Sequence, residues 1–201
     1  IYHDIDTECA MVHVTFGINI VVDTSSRHSG LFCGEFDKAW QASCSYVQKG
    51  YGLPIDYQAD VVIASCGGFP KDLNFYQSTK TLFNASRAVK EGGTLIMLAE
   101  CPEGSGSRDF FDWIKPLSKG CLDEALRASF TIGGYIFYAA CESIRRSKTL
   151  LLSSMEPELV RDMGVRSFKD MKDLLAEVDF NGKDVYVIPY GGSVLPQTKE
   201  A

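Results

Sequence analysis

Three short stretches of this 201-residue chain gather residue types that could grip a small acid. The first is Ser65-Cys66-Gly67-Gly68-Phe69-Pro70-Lys71-Asp72, where the paired glycines permit close backbone approach and the helix expected next offers free N–H groups to an anion. The second, Ala99-Glu100-Cys101-Pro102-Glu103-Gly104-Ser105-Gly106, adds Glu100 to Gly67 and Gly68 as candidate lining of a cleft. The third is Pro189-Tyr190-Gly191-Gly192-Ser193. Glycines after a strand also serve as plain turn formers, and Gly67-Gly68 does not complete a G-x-G-x-x-G fingerprint, so a nicotinamide site finds no support. Cys66 stands where a nucleophile would stand at a strand-to-helix turn. No base can be named beside it, and a buried structural thiol is the simpler description.

The helix expected after the first stretch carries Tyr76-Gln77-Ser78-Thr79-Lys80. Gln77 and Lys80 are three apart and Tyr76 and Lys80 four apart, so one amide, one phenol and one ammonium could converge on a carboxylate. On spacing alone, a solvated polar face with a snorkelling lysine describes these residues as simply.

Positioning such groups requires a sheet whose loops gather at one end. Asp60 to Ser65 is an uninterrupted β-branched run of the kind buried on both faces. A helix is expected from Leu73 to Val89, ended by Gly92-Gly93, and a second strand from Thr94 to Ala99. Helical segments follow around Phe110 to Leu117, Leu122 to Ala128 and Tyr135 to Ile144, then a strand over Thr149 to Leu152. Helices over Met155 to Met163 and Phe168 to Val178 lead to a last strand, Lys183 to Ile188, and a tail from Val194. This alternation predicts an α/β fold, a three-layer sandwich with a mostly parallel sheet. Ahead of it, Asp4 to Val14 is compatible with a helix. Phe16 to Asp23 and Leu31 to Cys33, joined by a Ser25 to Gly30 turn, read as a β-hairpin, and Phe36 to Val47 as a helix running into the break at Gly52-Leu53-Pro54. The expected division is 1–35 as the tail of an N-terminal domain, 36–55 as a connecting helix and 56–201 as a C-terminal α/β domain.

Bulk properties narrow the function classes. A net charge of −6 leaves no excess of Lys and Arg for a run of phosphates, which argues against nucleic acid. No apolar stretch approaches the roughly 20 residues of a membrane-spanning helix. Seven cysteines are scattered without a C-x-x-C pair or a clustered His, as in free thiols of a reducing cytoplasm; no metal site is expected. The start, Ile1-Tyr2-His3-Asp4, has no initiator Met or signal segment and reads as cut from a longer chain.

The run from Ala59 to Lys80, with Asp60-Val61-Val62-Ile63-Ala64-Ser65-Cys66-Gly67-Gly68-Phe69-Pro70-Lys71-Asp72 and Tyr76-Gln77-Ser78-Thr79-Lys80, resembles the nickel-dependent lactate racemase family. Val89-Lys90-Glu91-Gly92-Gly93-Thr94 and Ala99 to Gly106 follow in that family's order and spacing. The resemblance covers Ile55 to Gly106 closely and reaches back more loosely through the hairpin and the Trp40 helix. It implies a two-domain racemase or epimerase of 2-hydroxy acids such as lactate. Its N-terminal domain would hold a nickel pincer nucleotide, a pyridinium mononucleotide with sulfur ligands to nickel, together with a nickel-binding His, a cofactor-bearing Lys and two acid-base His residues. The C2 hydride would move to the cofactor ring and return to either face of the keto acid.

The same resemblance carries the family's Tyr-Gln-x-x-Lys cluster at the substrate carboxylate onto Tyr76, Gln77 and Lys80. It implies that this chain closes over the substrate against its own N-terminal domain, holds no cofactor itself and is inactive alone. His3, His13 and His28 match none of the family's functional histidines. Gly133-Gly134-Tyr135-Ile136-Phe137-Tyr138 departs from the family's helix, which carries an aromatic near the substrate, and either Tyr135 or Tyr138 could take that place. Two other classes remain: a non-catalytic module for small carboxylates at Lys71 and Lys80, and a Cys66-dependent hydrolase.

Overall fold

The computed structural model describes residues 7–12, 14–23, 25 and 27–198. The chain divides into two compact units, Ile1–Gly52 and Leu53–Ala201.

In the first unit, β1 (Gly17–Val22) and β2 (His28–Gly34) form an antiparallel hairpin, and α1 (Phe36–Tyr51) packs across one of its faces. β2 begins earlier than the sequence suggests because Asp23 folds the turn tightly: its Oδ1 accepts the N–H groups of Ser25 at 2.8 Å and Arg27 at 2.9 Å. Val21 and Ala39 are buried between hairpin and helix, and the Tyr46 and Tyr51 hydroxyls donate to Ser29 O and Val22 O. The opposite face leaves Ile18, Ile20, Val22 and Leu31 exposed. Of the helix expected over Asp4 to Val14, residues 7–10 are helical, while 4–6 and 13 lie outside the described residues.

The second unit holds a five-stranded parallel sheet. Its strands are β4 (Ala59–Ser65), β5 (Val89–Leu98), β6 (Lys148–Leu152), β7 (Arg166–Phe168) and β8 (Val185–Ile188), in the order β7-β6-β5-β4-β8. Alternate residues serve opposite faces. Val62, Ala64, Leu95, Met97 and Leu151 pack beneath α2 (Phe75–Ala85), α3 (Arg108–Phe111), α5 (Leu122–Ala128) and α6 (Ile132–Arg145), while α4 (Ile114–Ser118) and α7 (Glu158–Arg161) border the same core. Val61, Ile96 and Leu150 meet Leu174 of α8 (Met171–Ala176), with Phe168, Val178 and Phe180 alongside. The three-layer α/β expectation is thus met, with a thick helical layer on one face and a thin one on the other.

Several boundaries differ from the periodicity reading, each for a local reason. α2 stops at Ala85 rather than Val89, because Ala88 O already accepts the Ala59 N–H at 2.8 Å and Val89 pairs with Ala59 in the sheet. Where a helix was expected from Phe168, the edge strand β7 comes first. Asp170 then starts α8 as its N-cap, Oδ1 accepting the Lys172 N–H at 2.7 Å. Beyond Val194 the chain is not a tail: β9 (Leu195–Thr198) pairs with β3 (Gly52–Ile55). Four-residue strands paired across the length of a domain leave no periodicity to read.

Candidate functional site

The site lies where the strand order reverses. From β4 the chain steps to β5, β6 and β7, then returns to place β8 on the other side of β4. Loops at the carboxyl ends of strands flanking such a reversal diverge and leave a crevice. The loop after β4 carries Cys66, Gly67, Gly68 and Lys71, and the segment after β8 carries Tyr190 and a 3-10 turn, Gly191–Ser193. Gly67 and Gly68 both have positive φ, 87° and 79°. A Cβ on Gly67 would stand 2.9 Å from the Tyr190 ring, so a glycine is required for that ring to cover the loop.

The helix-dipole expectation needs correcting. The first N–H groups of α2 are not available to an anion: Phe75 donates to Gly104 O at 2.9 Å, Tyr76 to Ser105 O at 3.3 Å and Gln77 to Asn74 Oδ1 at 3.0 Å. The loop after β5 therefore does not line an open anion cradle at this helix end; it closes it. Glu100 is exposed, and its backbone is tied down. Its N–H donates to Asp72 Oδ2 at 3.3 Å, while its carbonyl accepts from the Ser153 and Ser154 hydroxyls at 2.8 and 2.7 Å.

Two of the three cluster residues meet. Lys80 Nζ donates to Gln77 Oε1 at 3.0 Å, with Lys80 exposed and Gln77 half-buried. The Tyr76 ring instead packs edge-on against buried Phe110, centroids 5.3 Å apart, within an aromatic group that includes Phe75, Phe111 and Phe137. Of the two aromatics left open, Tyr135 is exposed beside Phe130, their rings 6.3 Å apart, and Tyr138 is half-buried against the core.

Two contacts escaped the sequence reading. Lys71 Nζ donates to Ser193 Oγ at 2.6 Å, and Asn84 Nδ2 donates to Gly191 O at 2.9 Å. They fasten the turn after β8 to the loop after β4 and to α2. More than a hundred residues separate the partners, and only the Gly-Gly-Ser turn itself hinted at them.

Cys66 is fully buried, and burial raises its pKa despite hydrogen bonds from the Thr81 and Ser78 hydroxyls. A nucleophilic thiol needs the opposite shift and an open approach, so this environment does not support the hydrolase reading. Among the described residues no group of three or more His, Cys, Asp or Glu side chains is placed to hold a metal ion, and His28 lies exposed on β2. Nor does any helix among them have the length and apolarity to cross a membrane. A cavity of about 320 Å³ opens at the other end of the sheet, lined by Asp60, Lys90, Lys148 and Glu177 among others. Beside it Lys90 reaches Asp60 at 3.0 Å and Asp184 at 3.8 Å, and Lys148 Nζ donates to the Glu177 backbone carbonyl at 2.7 Å.

Residues 55–195 match the family model described as the lactate racemase C-terminal domain. A lactate racemase of Thermoanaerobacterium thermosaccharolyticum is 30% identical over 213 residues, covering 99% of this chain and 49% of the relative. One from Lactiplantibacillus plantarum is 31% identical over 128 residues, covering 63% of this chain and 30% of the relative. The structure of the T. thermosaccharolyticum lactate racemase apoprotein superposes with a TM-score of 0.85 at 28% identity, over 96% of this chain and 48% of that one. A crystal structure of a Thermotoga maritima protein, 14% identical with a TM-score of 0.62, covers 92% of this chain and 49% of its own and shares the fold. The chain thus spans at most about half the length of the curated relatives it matches.

Proposed function

From the premise that this chain belongs to the lactate racemase C-terminal domain family, we propose that it holds the carboxylate of a 2-hydroxy acid for a racemase or epimerase, with Gln77 and Lys80 as the contacting residues. The observation that carries this reading is the Lys80 Nζ to Gln77 Oε1 hydrogen bond of 3.0 Å. An ammonium has only donors, so the Gln77 oxygen must face it and the Gln77 NH₂ group is left to point elsewhere. Lys80 keeps two further N–H groups. The pair therefore presents donors alone together with one positive charge, which suits the lone pairs of a carboxylate. Tyr76, held in the aromatic group, ranks behind them and acts by walling the helix face.

Gripping the carboxylate suits a reaction that must serve both hands of a substrate. The carboxylate is common to the two enantiomers, whereas the substituents on C2 exchange places. A holder of this kind restricts a small acid to rotation about its C1–C2 bond, which removes much of the entropic cost of aligning C2. The described residues include no group of three or more His, Cys, Asp or Glu side chains that could by themselves hold a metal such as the nickel of the pincer nucleotide implied by the resemblance. In this reading the cofactor, its nickel ligand and the acid-base histidines belong to another part of the parent polypeptide. Residues 1–35 are then the tail of that part and 36–55 the connection, and the bare apolar face of the β1–β2 hairpin supports this assignment.

The test is Lys80→Ala in the full-length parent. Losing a charged hydrogen bond of about 1.5–3 kcal/mol lowers racemisation on the order of 10- to 100-fold with bound nickel unchanged. Gln77→Ala acts in the same direction but less. A wild-type rate in the Lys80 variant overturns the assignment, and lost nickel reassigns the residue to cofactor retention.

A further inference from the structure

The crevice holds a second lysine that the grip on one carboxylate does not use. Among the described residues the one side chain bonded to the Lys71 ammonium is the neutral Ser193 hydroxyl, at 2.6 Å, which leaves two of its N–H groups for another acceptor. Ser193 ends the turn seated on α2, where Asn84 binds Gly191 O and the Thr81 methyl lies 2.6 Å from where a Gly191 Cβ would be. Gln77 and Lys80 precede Thr81 and Asn84 by four residues each, so they lie one turn along the same helix face. The loop after β4, the turn after β8 and this face of α2 thus bring Lys71 and Lys80 to one crevice.

Their charges are unmatched. Lys90 pairs with Asp60, Arg166 with Glu177 and Lys169 with Glu156, while Lys119 and Lys172, among other described cations, have no carboxylate partner. Among the described residues neither Lys71 nor Lys80 has a carboxylate within ion-pair distance. The neighbouring acid, Asp72, is buried and accepts from the Glu100 N–H at 3.3 Å. In a chain of net charge −6, two such ammonium groups at the strand ends make a local site for anions.

We propose that Lys71 is a second anion-binding residue of this crevice and that the acid it serves is a 2-hydroxy dicarboxylate. One carboxylate rests on Gln77 and Lys80, and the other takes the Lys71 ammonium over from Ser193. This rests on the carboxylate reading of Gln77 and Lys80, which the experiment tests separately.

The 201-residue chain is titrated with lactate and with malate, followed at the backbone amides of Gly68, Gln77, Lys80 and Ser193 by NMR. Malate saturates at a concentration about tenfold or more below lactate, as one added charge-assisted bond requires. Lys71→Met brings malate to the lactate level. Ser193→Ala, which frees the ammonium without removing it, keeps the preference. A malate-to-lactate ratio unmoved by Lys71→Met overturns the proposal, and so does equal weakening of both acids, which marks Lys71 as a tether of the turn. If Lys80→Met weakens neither acid, the carboxylate reading falls and takes the second site with it. Absence of any shift with either acid up to about 100 mM overturns both, since even a millimolar site would be saturated there.

Discussion

Cys66, Cys101 and Cys141 are enclosed by the core, and burial raises all three thiols, Cys141 to about 12. Ser78 lies between the first two, its Oγ 3.6 Å from Cys101 Sγ and also hydrogen-bonded to Cys66. Cys33 and Cys44, by contrast, are exposed. Thiolate character and access both govern alkylation, so the two groups should separate cleanly. Iodoacetamide at mildly alkaline pH labels Cys33 and Cys44 in the native chain and leaves Cys66, Cys101 and Cys141 untouched until denaturant is added. Mass spectrometry of the labelled peptides reads this directly, and rapid native labelling of Cys66 would revive the nucleophile reading.

At the scale of elements, α6 shows how a weak local preference yields to packing. Its Gly133-Gly134 pair lies near the N-terminus, just after the Thr131 cap, whose Oγ1 accepts the Gly134 N–H at 3.0 Å. In an open helix, replacing a glycine by alanine gains about 1 kcal/mol. Here a Cβ on Gly134 would stand 2.3 Å from Trp113 Cε2, so the half-buried indole would have to shift from its packing against the core. Overpacking of this kind costs roughly 1–3 kcal/mol, so the clash wins. Gly134→Ala therefore lowers the urea midpoint of unfolding, whereas helix propensity alone would raise it.

For the molecule as a whole, acid sensitivity follows from ion pairs around the amino ends of the strands. Asp60 accepts from the Asp184 N–H and from Lys90, both at 3.0 Å, which holds its carboxyl below the ordinary 3.8. Arg166, at 2.6 Å, holds Glu177 below the ordinary 4.5. Depressed carboxyls contribute their stability above the unfolded-state value and lose it as pH falls through the folded-state value. Chemical denaturation should therefore give a flat stability between about pH 7 and 5 and a decline beginning below about 4.5, shallower in Asp60→Asn. An equally steep decline in that variant would place the acid-sensitive group elsewhere.

Local pattern was enough for the parts of the fold that depend on it. The β-branched run of β4, the α1 and α5 helices and the parallel class of the sheet follow from periodicity and turn chemistry, because burial on one or both faces leaves a repeat in the residues themselves. Ordered motifs likewise placed the chain with its relatives and singled out Tyr76, Gln77 and Lys80. Spacing could not decide which of those three meet. That depended on Phe110, over thirty residues away, drawing the Tyr76 ring into the core while Lys80 turned to Gln77. Nor could it show that the loop after β5 occupies the first N–H groups of α2, or that Lys71 crosses to Ser193. Such contacts join segments that only the strand order brings together, and a hydrogen bond between distant loops leaves no repeat in either of them.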